Sequence, residues 1–298
     1  MLNDLTKWSR IQSHEAIEIG RYFEYNEDAL RLFKEWLSFI SQPTIKVLEI
    51  GSGGGFFTNI LLKIFPGINL TCLEPDETFV DILKERFKDQ IKIIKDEIES
   101  IKIPESSFEV VISHIVLHNL KDPIIALKKM KDIVKDGGKV AIIEPLPSGK
   151  HYYPSKKIQK ASDFLGQAIF IKASKRRELL MYSDQWDPWN SCYPQIYEEV
   201  GFQNIVCNGW TSIFTLSDER IDFFEKKKWI RMRTNLIEQS MTDTSQILLE
   251  EGFNQKRINK AFTILLNYFK MLENATRDEL NHIHEQEIVH RIIVIGQK

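Results

Sequence analysis

A chain of 298 residues, 43% of them hydrophobic, is long enough to bury a full core and to hold one large domain or a domain with an inserted cap. Its 40 basic and 42 acidic side chains leave a formal charge of −2, which argues against a general attraction to nucleic acid or to an anionic membrane. Cys72, Cys192 and Cys207 lie too far apart for a metal knuckle or a disulfide framework and read as reduced thiols of a cytoplasmic protein. No secretion signal opens the chain, and no window reaches the roughly 18 apolar residues of a membrane-spanning helix.

Residues 1–44 read as a helical lid, with Ala29, Leu30, Leu32, Phe33, Trp36, Leu37 and Ile40 in one apolar stripe that ends at Pro43. Ahead of the stripe, Gly20-Arg21-Tyr22-Phe23-Glu24-Tyr25 mixes aromatic and polar side chains. Residues 45–145 read as a cofactor-binding core in which strands alternate with helices. Val47-Leu48-Glu49-Ile50 is a short buried strand that ends in the turn Gly51-Ser52-Gly53-Gly54-Gly55. A helix carrying Phe56, Phe57, Ile60, Leu61 and Ile64 follows, up to Pro66-Gly67. A turn of this kind brings backbone close to a ligand and aims the free N–H groups of a helix start at it.

A second strand, Asn69–Leu73, closes on Glu74-Pro75, and Asp76 caps the next helix. The third strand, Ile91–Ile94, runs into Lys95-Asp96-Glu97, and the fourth, Phe108–Ser113, into His114–Leu120. Asp122-Pro123 opens a helix whose Ile124, Leu127, Met130 and Val134 face inward; Asp136-Gly137-Gly138 stop it, and Lys139–Pro145 is the fifth strand. Strands alternating with helices predict an α/β fold, a doubly wound, Rossmann-like parallel sheet covered on both faces. Right-handed crossovers carry the loops after the strands to one edge, where such sheets bind ligands, so Gly51–Gly55, Glu74, Asp96 and His114 converge.

Residues 146–192 break the alternation and read as a cap insertion. His151-Tyr152-Tyr153-Pro154 and Trp186-Asp187-Pro188-Trp189 bracket a helix around residues 155–182. Residues 193–216 return to the core as a helix ended by Gly201 and a strand over Asn204–Leu216. Residues 217–286 are a helical insertion, and residues 287–298 the final strand.

The glycine spacing separates two cofactor classes. A nicotinamide fingerprint needs a glycine where Phe56 stands, whereas Glu49, Gly51, Gly53 and Gly55 fit Glu-x-Gly-x-Gly-x-Gly. Glu74 stands at the distance where an acid accepts from both ribose hydroxyls. On the stretches VLEIGSGGG (47–55), CLEPDE (72–77), KDEIESIKIPESSFEVVISHIVLHNLKDP (95–123) and KKMKDIVKDGGKVAIIEP (128–145), the chain resembles the class I S-adenosylmethionine-dependent methyltransferases, specifically the type 11 or 25 small-molecule branch. The resemblance covers about residues 45–145 and implies seven strands, the last one antiparallel and here at 288–296.

By the same resemblance, Glu49, Gly51, Ser52 and Gly53 sit against the methionine part of S-adenosylmethionine, Glu74 holds the ribose, and Pro75 flanks the adenine. Asp96 accepts from the adenine amino group with Glu97 and Ile98 beside it, His114 lies next to the sulfonium, and Arg21 and Tyr22 approach the cofactor carboxylate. His114 and His118 are candidates for a general base and, four residues apart on a helical turn, are expected to share a face; with no third ligand near them, no metal site is expected. Tyr25, Tyr152, Trp186 and Trp189 are candidate walls of an aromatic pocket for a planar or cationic substrate.

The expected activity is in-line methyl transfer to an oxygen or nitrogen of a small molecule under the helical cap, with S-adenosylhomocysteine as product. Two alternatives compete. One is a nucleic-acid methyltransferase, suggested by Lys226-Lys227-Lys228-Trp229-Ile230-Arg231-Met232-Arg233, against which the acidic balance counts. The other is a non-catalytic cofactor-binding protein whose helical insertion is a homodimer surface.

Overall fold

The computed structural model describes residues 7–40, 44–146, 149–179 and 192–298. In chain order the principal elements begin with α1 (His14–Arg21), α2 (Glu27–Trp36), β1 (Lys46–Ile50), α3 (Phe56–Ile64), β2 (Asn69–Leu73), α4 (Glu77–Phe87) and β3 (Lys92–Ile94). Then follow β4 (Phe108–His114), α5 (Pro123–Ile133), β5 (Val134–Pro145), β6 (Lys150–Tyr152) and α6 (Lys156–Leu179). The chain ends with α7 (Tyr193–Val200), β7 (Gln203–Thr215), α8 (Phe223–Glu250), α9 (Gln255–Asn274), α10 (Arg277–Asn281) and β8 (Gln286–Gln297). These fall into two compact units: a sheet unit of residues 25–148, 181–211 and 290–298, and a helical unit of residues 1–24, 149–180 and 212–289.

In the sheet unit β1 pairs in parallel with β2 and β4, β2 with β3, and β4 with β5, while residues 291–297 of β8 run antiparallel to β5. Successive residues of each strand point to opposite faces, and here both faces are apolar. Val47, Val110, Ile112, Ala141, Ile143, Ile293 and Ile295 pack on one side with Phe33, Phe57, Leu61 and Phe87 of α2, α3 and α4. Leu48, Ile50, Val111, Val140, Ile142 and Val294 pack on the other with Leu127 and Met130 of α5 and Ile196 and Tyr197 of α7. This double burial is why the strands read as continuous hydrophobic runs.

The expected seven strands become eight. The additional one, β6, pairs its Lys150–Tyr152 antiparallel with Ile288–Gln286, inside the segment expected to be a cap. β8 is 12 residues long, so the part that does not pair with β5 has backbone groups that need partners of their own. A three-residue partner is too short to show an alternating pattern in sequence. A second difference concerns the end of α5. The helix stops at Ile133, Val134 already pairs with Phe108, and the register then slips so that Val110 meets Lys139. Gly137, with φ of 75°, turns the extra residues out of the ladder.

In the helical unit, Ala161, Phe164, Leu165, Leu248, Ile258, Phe262 and Leu265 join α6, α8 and α9. Phe214, Leu216, Trp229, Ile230, Phe269, Leu272 and Leu280 form a second cluster. A polar network is buried beside it. Glu285 accepts from the Tyr268 hydroxyl at 2.6 Å and lies 2.7 Å from His151 Nε2, and His151 stacks on Tyr153 with ring centroids 4.2 Å apart. Among the described residues no helix is long and apolar enough to cross a membrane.

Leu61 is completely buried between α3 and the sheet. Leu61→Ala is expected to destabilise the protein by about 2–5 kcal/mol in urea melts, whereas Lys63→Ala, on the exposed side of the same helix, should change stability by less than about 0.5 kcal/mol.

Candidate active site

Register places the site. Ile50 of β1 pairs with Leu73 of β2 and with Ser113 of β4, and Leu73 pairs with Ile94 of β3, so all four lie on one rung of the sheet. One residue past that rung stand Gly51, Glu74 and His114, with Asp96 two residues past it. Ile143 of β5 pairs with His114, which puts Glu144 at the same edge. The convergence expected of the four loops is present.

The glycine turn is fastened to the second strand. Gly51 N and Ser52 N both donate to Leu73 O, at 2.8 and 3.2 Å. Glu74, 5% exposed, accepts from Gly53 N at 2.7 Å through one oxygen and from Asp76 N at 3.0 Å through the other. Burial pushes the Glu74 carboxyl up to about 7, against the pull of the two backbone N–H groups. Each oxygen keeps a lone pair beyond these bonds, which is what two ribose hydroxyls require.

The two central glycines answer different constraints. At Gly51 a Cβ would lie 2.7 Å from the Val116 side chain, so this glycine is required by the loop after β4 packing on the turn. At Gly53, with φ of +54°, a Cβ would meet nothing within 4 Å. The backbone of Gly53 is thus open on the side where that of Gly51 is covered by Val116.

Glu49 is 1% exposed and points into the interior, where it accepts from Thr58 Oγ1 at 2.6 Å and Cys72 Sγ at 3.6 Å. Burial raises its carboxyl to about 7. Its contacts tie β1, β2 and α3 together beneath the turn, and Ser52 leans on the same place through its hydroxyl, 3.4 Å from Glu49 O. Asp96 accepts from Glu97 N at 2.8 Å and Ser100 Oγ at 3.1 Å, both through Oδ1. Ile98 is buried in the lower face of the sheet, and Pro75 and Glu97 are exposed.

The two histidines do not share a helical face. β4 continues through His114, and Ile115 then takes φ of 59°, a left-handed conformation that a β-branched residue adopts only under strain and that interrupts any helix. His114, 5% exposed, stacks on Phe57 with centroids 4.6 Å apart, and its Nε2 is hydrogen-bonded to the Tyr25 hydroxyl. Tyr25 in turn packs edge-on against Phe56 and Trp210. His118 belongs to the short 3-10 turn Leu117–Asn119, where its Nδ1 lies 2.7 Å from Glu144 Oε2. Among the described residues no three metal-ligating side chains cluster.

Glu144 is the residue that sequence reasoning missed. Completely buried, it accepts from Val116 N and Leu117 N through Oε1 and orients His118 through Oε2, so one carboxylate shapes the whole loop after β4. A signal was present: Ile143-Glu144-Pro145 repeats Leu73-Glu74-Pro75, a lone acid before proline at the end of a buried strand.

The remaining candidates belong to the helical unit or fall outside the described residues. Arg21 and Tyr22 end α1 in the helical unit, where the Tyr22 hydroxyl bonds Glu225 and Lys228 lies 5.0 Å above its ring. Tyr152 is exposed on β6 of the same unit, and Trp186 and Trp189 lie outside the described residues.

Comparison with known proteins agrees with this geometry. The family model described as Methyltransferase domain matches residues 48–142. A malonyl-[acyl-carrier protein] O-methyltransferase from Paenibacillus is 23% identical over 189 residues, covering 61% of this chain and 64% of that protein. A demethylmenaquinone methyltransferase from Staphylococcus aureus is 26% identical over 173 residues, covering 56% and 71%. Two solved structures share the fold with a TM-score of 0.52. A phosphoethanolamine N-methyltransferase 2 from Haemonchus contortus is 15% identical, the match covering all of this chain and 60% of that one. A protein from Anabaena variabilis described as an antibiotic-pathway methyltransferase is 14% identical, covering 89% and 96%. The methyltransferase domain match is confined to residues 48–142, and together with these relatives it supports a class I methyltransferase whose methyl donor is S-adenosylmethionine.

Three outcomes test the site. Gly53→Ala should leave the melting temperature within a few degrees while weakening S-adenosylhomocysteine binding at least tenfold by calorimetry, and Gly51→Ala should lower stability by about 1–3 kcal/mol through its clash with Val116. Ribose hydroxyls held by Glu74 would donate to its ionised form, so S-adenosylhomocysteine affinity is expected to rise as pH passes upward through about 7 and then level off, a dependence that Glu74→Gln should flatten. Glu49 binds its proton more tightly when folded, so its contribution to stability is complete below about 4.5 and is lost as pH rises through about 7. The loss is of order a few kcal/mol at about 1.4 kcal/mol per pKa unit, and Glu49→Gln should remove that part of the pH profile in thermal melts.

Proposed function

We propose that this chain methylates an oxygen or nitrogen of a small molecule. The observation that carries this reading is the single edge of the sheet on which Gly53, Glu74, Asp96 and His114 converge. Glu74 would hold the ribose through the lone pairs its backbone bonds leave, Gly53 would let the chain approach the methionine part, and Asp96 Oδ2 would take the adenine amino group. S-adenosylmethionine bound there supplies a methyl carbon already activated by its positive sulfur, so alignment of the acceptor accounts for most of the catalysis.

Proton handling then falls to Tyr25 and His114. The tyrosine hydroxyl lies on Nε2 of a buried imidazole whose plane is fixed by Phe57, an arrangement in which the ring takes a proton delivered through the hydroxyl. The substrates named for the two relatives, an acyl-carrier-bound malonyl group and demethylmenaquinone, support an acceptor of low molecular weight or an acyl group. The nucleic-acid alternative loses its main feature, since Trp229 is 1% exposed and Lys226 2%, leaving no aromatic of that basic run for a base to stack on.

Incubation with isotopically labelled S-adenosylmethionine and a metabolite extract, read by mass spectrometry, should reveal a labelled small molecule. Labelling of RNA alone, or of nothing while the cofactor binds, would refute the reading. His114→Ala and Tyr25→Phe should lower kcat by roughly 10²–10⁴-fold and leave S-adenosylhomocysteine affinity within a few-fold.

A further inference from the structure

The helical unit contains an open cavity of about 510 Å³, built on the first turns of α8 and the end of α9. Its apolar surface comes from Phe223, Phe224 and Met232, its positive charge from Lys227, Lys228 and Arg231, and Asn235 and the Glu273 carboxylate also line it. Phe224 is 74% exposed, the most exposed of the large apolar side chains among the described residues. Leaving an aromatic in water forgoes roughly 25 cal/mol for every Å² that burial would remove.

The cations divide into a fixed wall and a free rim. Lys227 Nζ is committed to the carbonyls of Leu272, Glu273 and Ala275 at 2.8, 2.7 and 2.5 Å, which caps the end of α9 and holds that wall in place. Arg277 lies 5.4 Å from the centre of the Phe223 ring and Lys228 5.0 Å from that of Tyr22. None of the ion pairs among the described residues involves Lys228, Arg231 or Arg277. Of the nearby carboxylates, Glu225 is taken by the Tyr22 hydroxyl.

We propose that this cavity of the helical unit is a second ligand site, for a small organic anion with an apolar body: an acyl or aryl chain ending in a carboxylate or phosphate. The volume suits one small ligand, and the aromatic walls with convergent cations match its two halves. A flat lipid surface would leave the space beside Phe223 unfilled, and a nucleic-acid strand needs the continuous basic track that buried Lys226 and capped Lys227 interrupt.

The test uses the full chain saturated with S-adenosylhomocysteine, titrated by calorimetry with octyl phosphate below its aggregation concentration. Saturable binding of one molecule is expected, at least tenfold tighter than that of octyl glucoside or inorganic phosphate. Arg231→Glu and Phe224→Ser should each weaken it at least tenfold while circular dichroism, melting temperature and S-adenosylhomocysteine affinity stay unchanged. Equal binding by both variants, equal binding of octyl glucoside or of inorganic phosphate, or binding only to phosphatidylglycerol vesicles would each overturn the proposal.

Discussion

The parallel register that aligns Ile50, Leu73, Ile94 and Ser113 is the constraint on which the rest of the site depends. Because β1, β2 and β3 end their ladders at the same level, the next residue of each leaves the ladder at one edge, and β4 runs one residue further, to His114 against Ile143 of β5. A shift of one residue in any strand would turn its core side chains to the opposite face, and the double apolar cover of the sheet forbids that. Burial on both faces thus fixes the positions of Glu74 and His114 as firmly as any contact within the site.

Carboxylates placed at this edge solve different problems by the company they keep. Glu74 accepts one backbone N–H through each oxygen, so it is held in position with acceptor capacity to spare. Glu49 faces a hydroxyl and a thiol in the interior and serves the assembly of the turn. Glu144 spends its acceptors on the backbone of Val116 and Leu117 and on His118, and Val116 in turn presses on Gly51. The glycine turn is therefore supported from two sides, by β2 through Leu73 and Glu74 and by the loop after β4 through Val116.

The strain at Ile115 belongs to the same arrangement. A β-branched residue with positive φ costs of order 1–3 kcal/mol and persists where its surroundings over-determine it. Here the surroundings are the bond of Ile115 N to Ile143 O on one side and the grip of Glu144 on the next two residues. The result separates His114, directed to Tyr25, from His118, directed to Glu144. Two imidazoles that a helical turn would have paired are thereby given different partners.

Alternation of apolar runs with helical spacing, read from the sequence by itself, determined the parallel sheet, the glycine turn and the positions of Glu74, Asp96 and His114, because local periodicity and strand ends are local properties. The spacing of Glu49, Gly51, Gly53 and Gly55, with Phe56 after them, counted against a nicotinamide cofactor, and the resemblance over about residues 45–145 pointed to S-adenosylmethionine. Tertiary structure alone decided which glycine faces open space, since that depends on Val116, 65 positions away from Gly51. It decided the partners of the two histidines, which come from Tyr25 and Glu144 at distant points of the chain. It also decided the short strand β6, which exists because part of β8 needed a neighbour and which no pattern of three residues can announce.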